Sequence, residues 1–205
     1  MSAAGRTATP RPPARIALLG GECTGKSTLA RALGARLGAQ VVDERLRRFC
    51  DEMRRAPLAS EQRWLIEEQI RLEALAMESA RLAGLRWVVC DSTPLATAIY
   101  SARYFADESL MAQALAHQRG YAATLVPAPD LPWVADGIQR DGPQVREAFH
   151  RAVLDTLRAN AIAHAEIGGS GAARERRALA ALAASGLEIA RAVPGGGGPA
   201  GRGSL

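Results

Sequence analysis

The stretch Gly20-Gly21-Glu22-Cys23-Thr24-Gly25-Lys26-Ser27, continued by Thr28, constrains this chain more than any other. Its spacing, G-x-x-x-x-G-K-[ST], is that of a phosphate-binding loop. In such a loop, successive backbone N–H groups wrap a nucleotide's β-phosphate, the lysine reaches the β/γ oxygens and the serine hydroxyl ligates Mg²⁺. The flanks suit it. Ala14 to Leu19 is a short, mostly apolar run of buried-strand type, and Leu29, Leu33 and Leu37 recur at helical spacing between Thr28 and Leu37. A helix starting there turns its partial positive charge and free N–H groups toward the anion. Lys26 is also the sole lysine in the chain, every other strong base being arginine. The position calls for a compact ammonium rather than a planar guanidinium.

With 205 residues, 48% of them hydrophobic, the chain can bury one substantial core, so a single domain over 14–193 is expected. Residues 1–13, with Pro10, Pro12 and Pro13, and 194–205, with Gly195 to Gly198 in a row, read as disordered tails. The net charge of +5 suits an anionic ligand, but the arginines alternate with glutamates on helical segments as on solvated faces. Aromatic residues are only 4% and are not interleaved with the bases, so no nucleic-acid partner is expected. Cys23, Cys50 and Cys90 lack C-x-x-C spacing and read as reduced thiols. With no secretory leader and no run near the ~20 apolar residues of a membrane span, a cytoplasmic protein without membrane contact is expected.

Strands and helices alternate along the domain. Gln40 to Val42 reads as a second strand delivering Asp43 and Glu44 at its end, and Arg45 to Arg54 as a helix before Pro57. Ser60 reads as the N-cap of a long helix ending near Gly84, and Arg86 to Asp91 as a third, buried strand. Helices follow over Pro94–Phe105 and Ser109–Arg119, a strand over Ala122–Val126, and a Pro-punctuated loop from Pro127 to Gly137. A helix over Gln144–Ala159, a fifth strand over Ala163–Ile167 and a helix over Ala172–Ala184 complete the pattern. It predicts an α/β fold: a parallel five-stranded sheet with helices on both faces and ligands at the strands' carboxyl ends.

Phosphoryl transfer needs a phosphate cradle, a metal, a positioned acceptor and cations for the transferring group. Asp91, ending an apolar strand, is placed like a carboxylate that holds Mg²⁺ together with Ser27. Glu44, at the tip of the second strand, is the candidate base for an acceptor hydroxyl; Asp43 points the other way in extended chain. Trp133 can stack on a substrate ring or anchor its loop. Asp136, Arg140 and Arg146 beyond it read as a lid able to exclude water. His117, His150 and His164 have no metal spacing and read as surface residues.

Taken together, Gly20-Gly21-Glu22-x-x-Gly25-Lys26-Ser27-Thr28, Val42-x-Glu44-x-x-Arg47, Asp91, and Asp130-x-Pro132-Trp133-Val134-x-Asp136-Gly137 with the arginines after it resemble the ribosylnicotinamide kinase domain of bacterial NadR-type proteins and the AAA-family ATPases grouped with it. The resemblance spans roughly residues 15–185. It implies the nucleoside and nucleotide kinase fold with a lid, ATP and Mg²⁺, and transfer to the ribose 5′-hydroxyl of nicotinamide riboside. Lys26, Glu44, Asp91 and Arg140 would then be catalytic, and Glu44, Arg47, Trp133, Asp136 and Arg146 would meet the acceptor. Two positions depart from the family pattern: Thr93 stands where a second carboxylate is usual, and Gln139 where an arginine is, with Arg140 next.

The residues leave two other readings open. One is a regulatory ATPase switch working through a protein partner; the other is a nucleoside-monophosphate kinase, for which Arg47 and Arg48 supply cations. A GTPase is disfavoured because its Asn-Lys-x-Asp base reader needs a second lysine.

Overall fold

The alternation of short apolar strands and amphipathic helices closes into one parallel sheet in the order β2-β3-β1-β4-β5. The computed structural model describes residues 11–133 and 142–189. Its strands are β1 (Ala14–Leu18), β2 (Gln40–Val42), β3 (Trp87–Asp91), β4 (Ala123–Pro127) and β5 (Ala165–Ile167). The helices are α1 (Lys26–Leu37), α2 (Arg45–Met53), α3 (Gln62–Leu82), α4 (Pro94–Phe105), α5 (Met111–Gln118), α6 (Pro143–Ala159) and α7 (Gly171–Ala184).

Side chains alternate across each strand, so each face of the sheet receives every second residue. Ile16, Leu18, Trp87, Val89 and Leu125 pack with Leu29 and Leu33 of α1 and Ala178 and Leu182 of α7. On the opposite face, Leu19 and Val126 meet Ile66 of α3, Leu95 and Ile99 of α4, and Phe149, Val153 and Leu157 of α6. Every residue of β3 and β4 is buried, as parallel strands covered on both faces require. Each fully buried leucine or isoleucine there adds about 1.5–3 kcal/mol of hydrophobic stabilisation.

Register sets where the strands deliver their ends. Leu18 of β1 lies beside Asp91 of β3, and Val42 of β2 beside Cys90. The loop after β1, Glu44 after β2 and the end of β3 therefore arrive at one level. From β1 the chain runs first to β2 and β3 on one side and later to β4 and β5 on the other. This reversal is the crevice where open α/β sheets take ligands.

Local chemistry shifts several element ends from their expected places. α1 begins at Lys26 rather than Thr28, because Gly25 adopts φ 75° and its carbonyl accepts the Leu29 N–H at 3.0 Å. Ser60 does not cap the long helix; it lies within a 3₁₀ turn over Ala59–Glu61. The Glu61 carboxylate instead accepts the Leu58 N–H at 2.7 Å and both Arg55 guanidinium nitrogens at 2.6 Å. Two exposed arginine and glutamate pairs on α3, Glu68–Arg71 and Glu78–Arg81, take i,i+3 spacing, where each adds little to stability.

Two histidines are not surface residues. His150 is buried on α6 with Nε2 3.3 Å from Glu166. His117 is half-buried, 2.9 Å from the fully buried Glu73, which also accepts from Arg15 at 2.9 Å and the Tyr121 hydroxyl at 2.7 Å. This cluster ties α3 and α5 to the amino end of β1, away from the glycine loop. Among the described residues no helix is long and apolar enough to cross a membrane.

Candidate active site

The loop from Gly20 to Lys26 is held by its own polar groups. The Thr24 hydroxyl donates to the Gly21 carbonyl at 2.9 Å, and the Lys26 ammonium donates to the same oxygen at 2.7 Å. Thr24 and Lys26 are buried, and Gly21 backs onto Phe149 of α6. Cys23 (φ 50°) and Gly25 (φ 75°) both adopt the left-handed region. For Cys23 this is a strained conformation of the sort that clusters at ligand clamps. Residues Cys23 to Thr28, with Arg31 and Arg47, line a cleft of about 220 Å³. Gly20 and Gly21 are buried behind it and Glu22 is half-buried.

Asp91 is 3% exposed, and its Oδ1 is buried without a hydrogen-bond partner. Burial raises its pKa above the ordinary carboxylate value; the Lys26 ammonium, a hydrogen bond with Ser27 and the Arg47 charge oppose the rise, while Glu44 adds to it. One carboxylate thus feels Lys26, Ser27, Glu44 and Arg47 together. A buried carboxylate with an unused oxygen beside the serine of a phosphate loop fits a divalent cation bound with phosphate, which needs one or two protein ligands rather than a closed cage. Among the described residues no group of three or more His, Cys, Asp or Glu forms such a cage. Ser92, directly after Asp91, is held at φ 73° with its N–H on the Leu18 carbonyl at 2.9 Å.

Glu44 is the N-cap residue of α2, with its side chain 13% exposed and 3.7 Å from Arg47 Nε, whereas Asp43 is exposed. Thr93, where a second carboxylate was looked for, is buried, and its hydroxyl donates to Gln118 at 2.9 Å. That position serves the packing of α4 on α5.

Beyond β4 the expected lid divides. Asp136 and Arg140 lie outside the described residues. Trp133 is half-buried with its indole Nε1 enclosed and unpartnered. Arg146, expected to meet the acceptor, is instead buried on α6 and donates to the carbonyls of Leu131 at 2.8 Å and Cys23 at 3.4 Å. Sequence reasoning missed its companion, Arg174 of α7, which is 3% exposed and donates to the Thr24 and Ala128 carbonyls and to Asp130. It also missed Arg31 at the cleft mouth. Arg31 stands four residues after Ser27, one helical turn on, and that spacing was the available signal.

The fold resembles NadR protein in complex with NAD and AMP-PNP at a TM-score of 0.70 and 19% identity, over 88% of this chain and 52% of that one. It also resembles thymidylate kinase from Ehrlichia chaffeensis (0.61, 14% identity, 84% and 100% covered) and deoxyadenosine kinase from M. mycoides with bound dATP (0.53, 12%, 83% and 99%). The chain spans about half the length of the NadR chains it resembles. No match is found among the curated proteins. A family described as an AAA domain matches residues 15–176, most of the chain and every site residue named above. The protein is therefore a parallel-sheet P-loop protein with the kinase-type fold, and it belongs to this AAA domain family.

Proposed function

We propose that the protein is a small-molecule kinase that transfers the γ-phosphoryl group of ATP to a hydroxyl, with a ribonucleoside such as nicotinamide riboside as acceptor through its 5′-OH, in cytoplasmic NAD salvage. The observation that carries this reading is that Lys26, Ser27 and Arg47 line one cleft, with the Glu44 carboxylate 3.7 Å from Arg47 Nε and the buried Asp91 in hydrogen-bonding reach of Ser27. A binding switch needs the loop, the serine and one acid. The second carboxylate, Glu44, gives an acceptor hydroxyl a group that can take its proton.

Each residue then has a task. The loop N–H groups and Lys26 hold the phosphates, Lys26 leaving the Gly21 carbonyl it now contacts for the β/γ oxygens. Ser27 and Asp91 would hold Mg²⁺, whose charge neutralises the phosphate oxygens. Glu44 accepts the acceptor's proton. Arg47 and Arg31, facing the same cleft, meet charge on the transferring group, and Arg140, outside the described residues, is assigned the same task. Trp133 and Asp136 are assigned to the acceptor. The fold likeness to NadR supports the choice of acceptor to test first.

The test is ADP release from ATP-Mg across a panel of nucleosides and nucleoside monophosphates. A nucleoside, nicotinamide riboside first among them, should raise the rate well above the ATP-only background, and Glu44→Gln should remove that increment while ATP binding stays unchanged. Stimulation by monophosphates alone would make it a nucleotide kinase. No stimulation by any member would leave the regulatory ATPase.

A further inference from the structure

Two buried guanidinium groups donate to neighbouring carbonyls of the phosphate loop, and neither is among the residues that line the cleft. Arg174 reaches three acceptors at once: the Thr24 carbonyl, the Ala128 carbonyl at 3.1 Å and the Asp130 carboxylate. Asp130 is itself fixed by the Gly169 N–H at 2.5 Å. Arg146 holds the neighbouring Cys23 carbonyl. The turn that allows this is glycine-built. A Cβ on Gly168 would stand 3.1 Å from the Asp130 carboxylate, and one on Gly169, at φ 90°, would stand 2.6 Å from Arg177.

The peptide unit is planar and trans, so the carbonyl of one residue and the N–H of the next point in opposite directions. Donors drawing the Cys23 and Thr24 carbonyls outward therefore turn the Thr24 and Gly25 N–H groups the other way, toward the cleft. The Gly21 carbonyl is held separately, by the Thr24 hydroxyl and the Lys26 ammonium. Two peptide planes of the loop, those after Cys23 and Thr24, are thus set before any phosphate arrives, as in an anion nest.

Stability alone does not explain a charge buried there. An apolar side chain of similar volume commonly stabilises a fold as well as a buried ion pair does. Only a planar fork with several N–H donors satisfies a carboxylate and two carbonyls together; an ammonium cannot match that geometry.

We propose that Arg174, fixed by Asp130, is a positioning residue for nucleotide binding: it holds the Thr24 peptide so that the loop N–H groups point at the phosphates. This rests on the nucleotide-binding half of the function proposed above and not on its acceptor. The test measures dissociation constants of a fluorescent ATP analogue and of inorganic tripolyphosphate for wild type, Arg174→Met, Arg174→Lys and Asp130→Asn. Melting temperatures are recorded in parallel. Arg174→Met, which leaves the Thr24 and Ala128 carbonyls without their donor, should lower the melting temperature and, under conditions where the variant is folded, bind both probes about ten- to a hundredfold more weakly, the range for losing a charged hydrogen bond. Arg174→Lys should recover only part of that loss. Asp130→Asn, which leaves the guanidinium but frees it to move, should weaken both probes by a smaller factor. Arg174 variants that bind both probes within twofold of wild type would overturn the proposal, as would a loss confined to thermal stability. If wild type binds ATP and no acceptor stimulates turnover, the kinase reading fails and this one stands; if wild type binds neither probe, both fail.

Discussion

Gly25 is the hinge on which the loop hands the chain to α1, and replacing it by alanine has a calculable cost. Its φ of 75° lies in the left-handed region, which costs a residue with a Cβ about 1–2 kcal/mol. The new methyl would stand 2.9 Å from Leu131 Cδ1 and 3.3 Å from Arg174 Nη1. Leu131 can turn away at about 0.5–1.5 kcal/mol, whereas Arg174 is held by its three acceptors. Alanine also restricts the unfolded chain, returning roughly 0.4–1 kcal/mol. The net loss is about 1–2 kcal/mol, or a melting temperature lower by roughly 2–8 °C in a chain of this size. Ligand response should fall further, since the methyl pushes on both the loop and Arg174. ATP-Mg at a hundred times its dissociation constant should stabilise wild type by about 2.7 kcal/mol, and Gly25→Ala should lose most of that increment. Thermal melts with and without ATP-Mg decide it. A melting temperature within 1 °C of wild type (about 0.3 kcal/mol) and an undiminished ATP shift would refute the reasoning.

Asp91 is kept buried at a cost, because burial disfavours its charged form and leaves Oδ1 unpartnered. Its penalty sets in as pH rises from the unfolded carboxylate value through the raised folded one, so at neutral pH Asp91→Asn should raise the melting temperature of the ligand-free protein. The same change should lower kcat by on the order of a hundredfold, measured in a Mg²⁺ titration; equal rates with unchanged metal dependence would return Asp91 to packing. Thiol labelling at pH 8 should modify Cys23 first and be slowed by ATP, because Cys23 lines the cleft, while burial pushes Cys50 up to about 11 and raises Cys90 as well. Peptide mapping that finds Cys90 labelled in the folded protein would contradict this. The Arg55 guanidinium bonded to Glu61 holds that carboxyl down to about 2. Its contribution is present above the unfolded value of about 4.3 and lost as pH falls through about 2. Urea melts should therefore separate wild type from Glu61→Gln at pH 6 and bring them together near pH 2.

Much of the frame was legible because short-range patterns determine it. The continuous apolar runs Ile16 to Leu19 and Trp87 to Cys90 specify buried strands, and the glycine and lysine spacing fixes which strand end carries the loop. Helix starts were less legible. Ser60 has a capping side chain, yet Glu61 forms the tighter contact because Arg55 lies within reach, which sequence spacing alone does not reveal. Arg174 was the largest omission in the site, and Arg146 was expected in a lid rather than behind the loop. Arginines on helices read as solvated, and only the tertiary fold brings α6 and α7 behind the loop so that their guanidinium groups find carbonyls. The Gly168-Gly169-Ser170-Gly171 run before Arg174 was the visible hint, since such a run marks a close backbone approach.

The central claim, transfer of a phosphoryl group to a hydroxyl, is tested most directly by following the label from γ-³²P-ATP in a single turnover with nicotinamide riboside and then the other nucleosides. The account predicts that the label appears in a nucleoside 5′-monophosphate, that inorganic phosphate forms only slowly, and that Glu44→Gln stops the first product. Label recovered solely as inorganic phosphate, at a rate no nucleoside changes and Glu44→Gln does not affect, would contradict it.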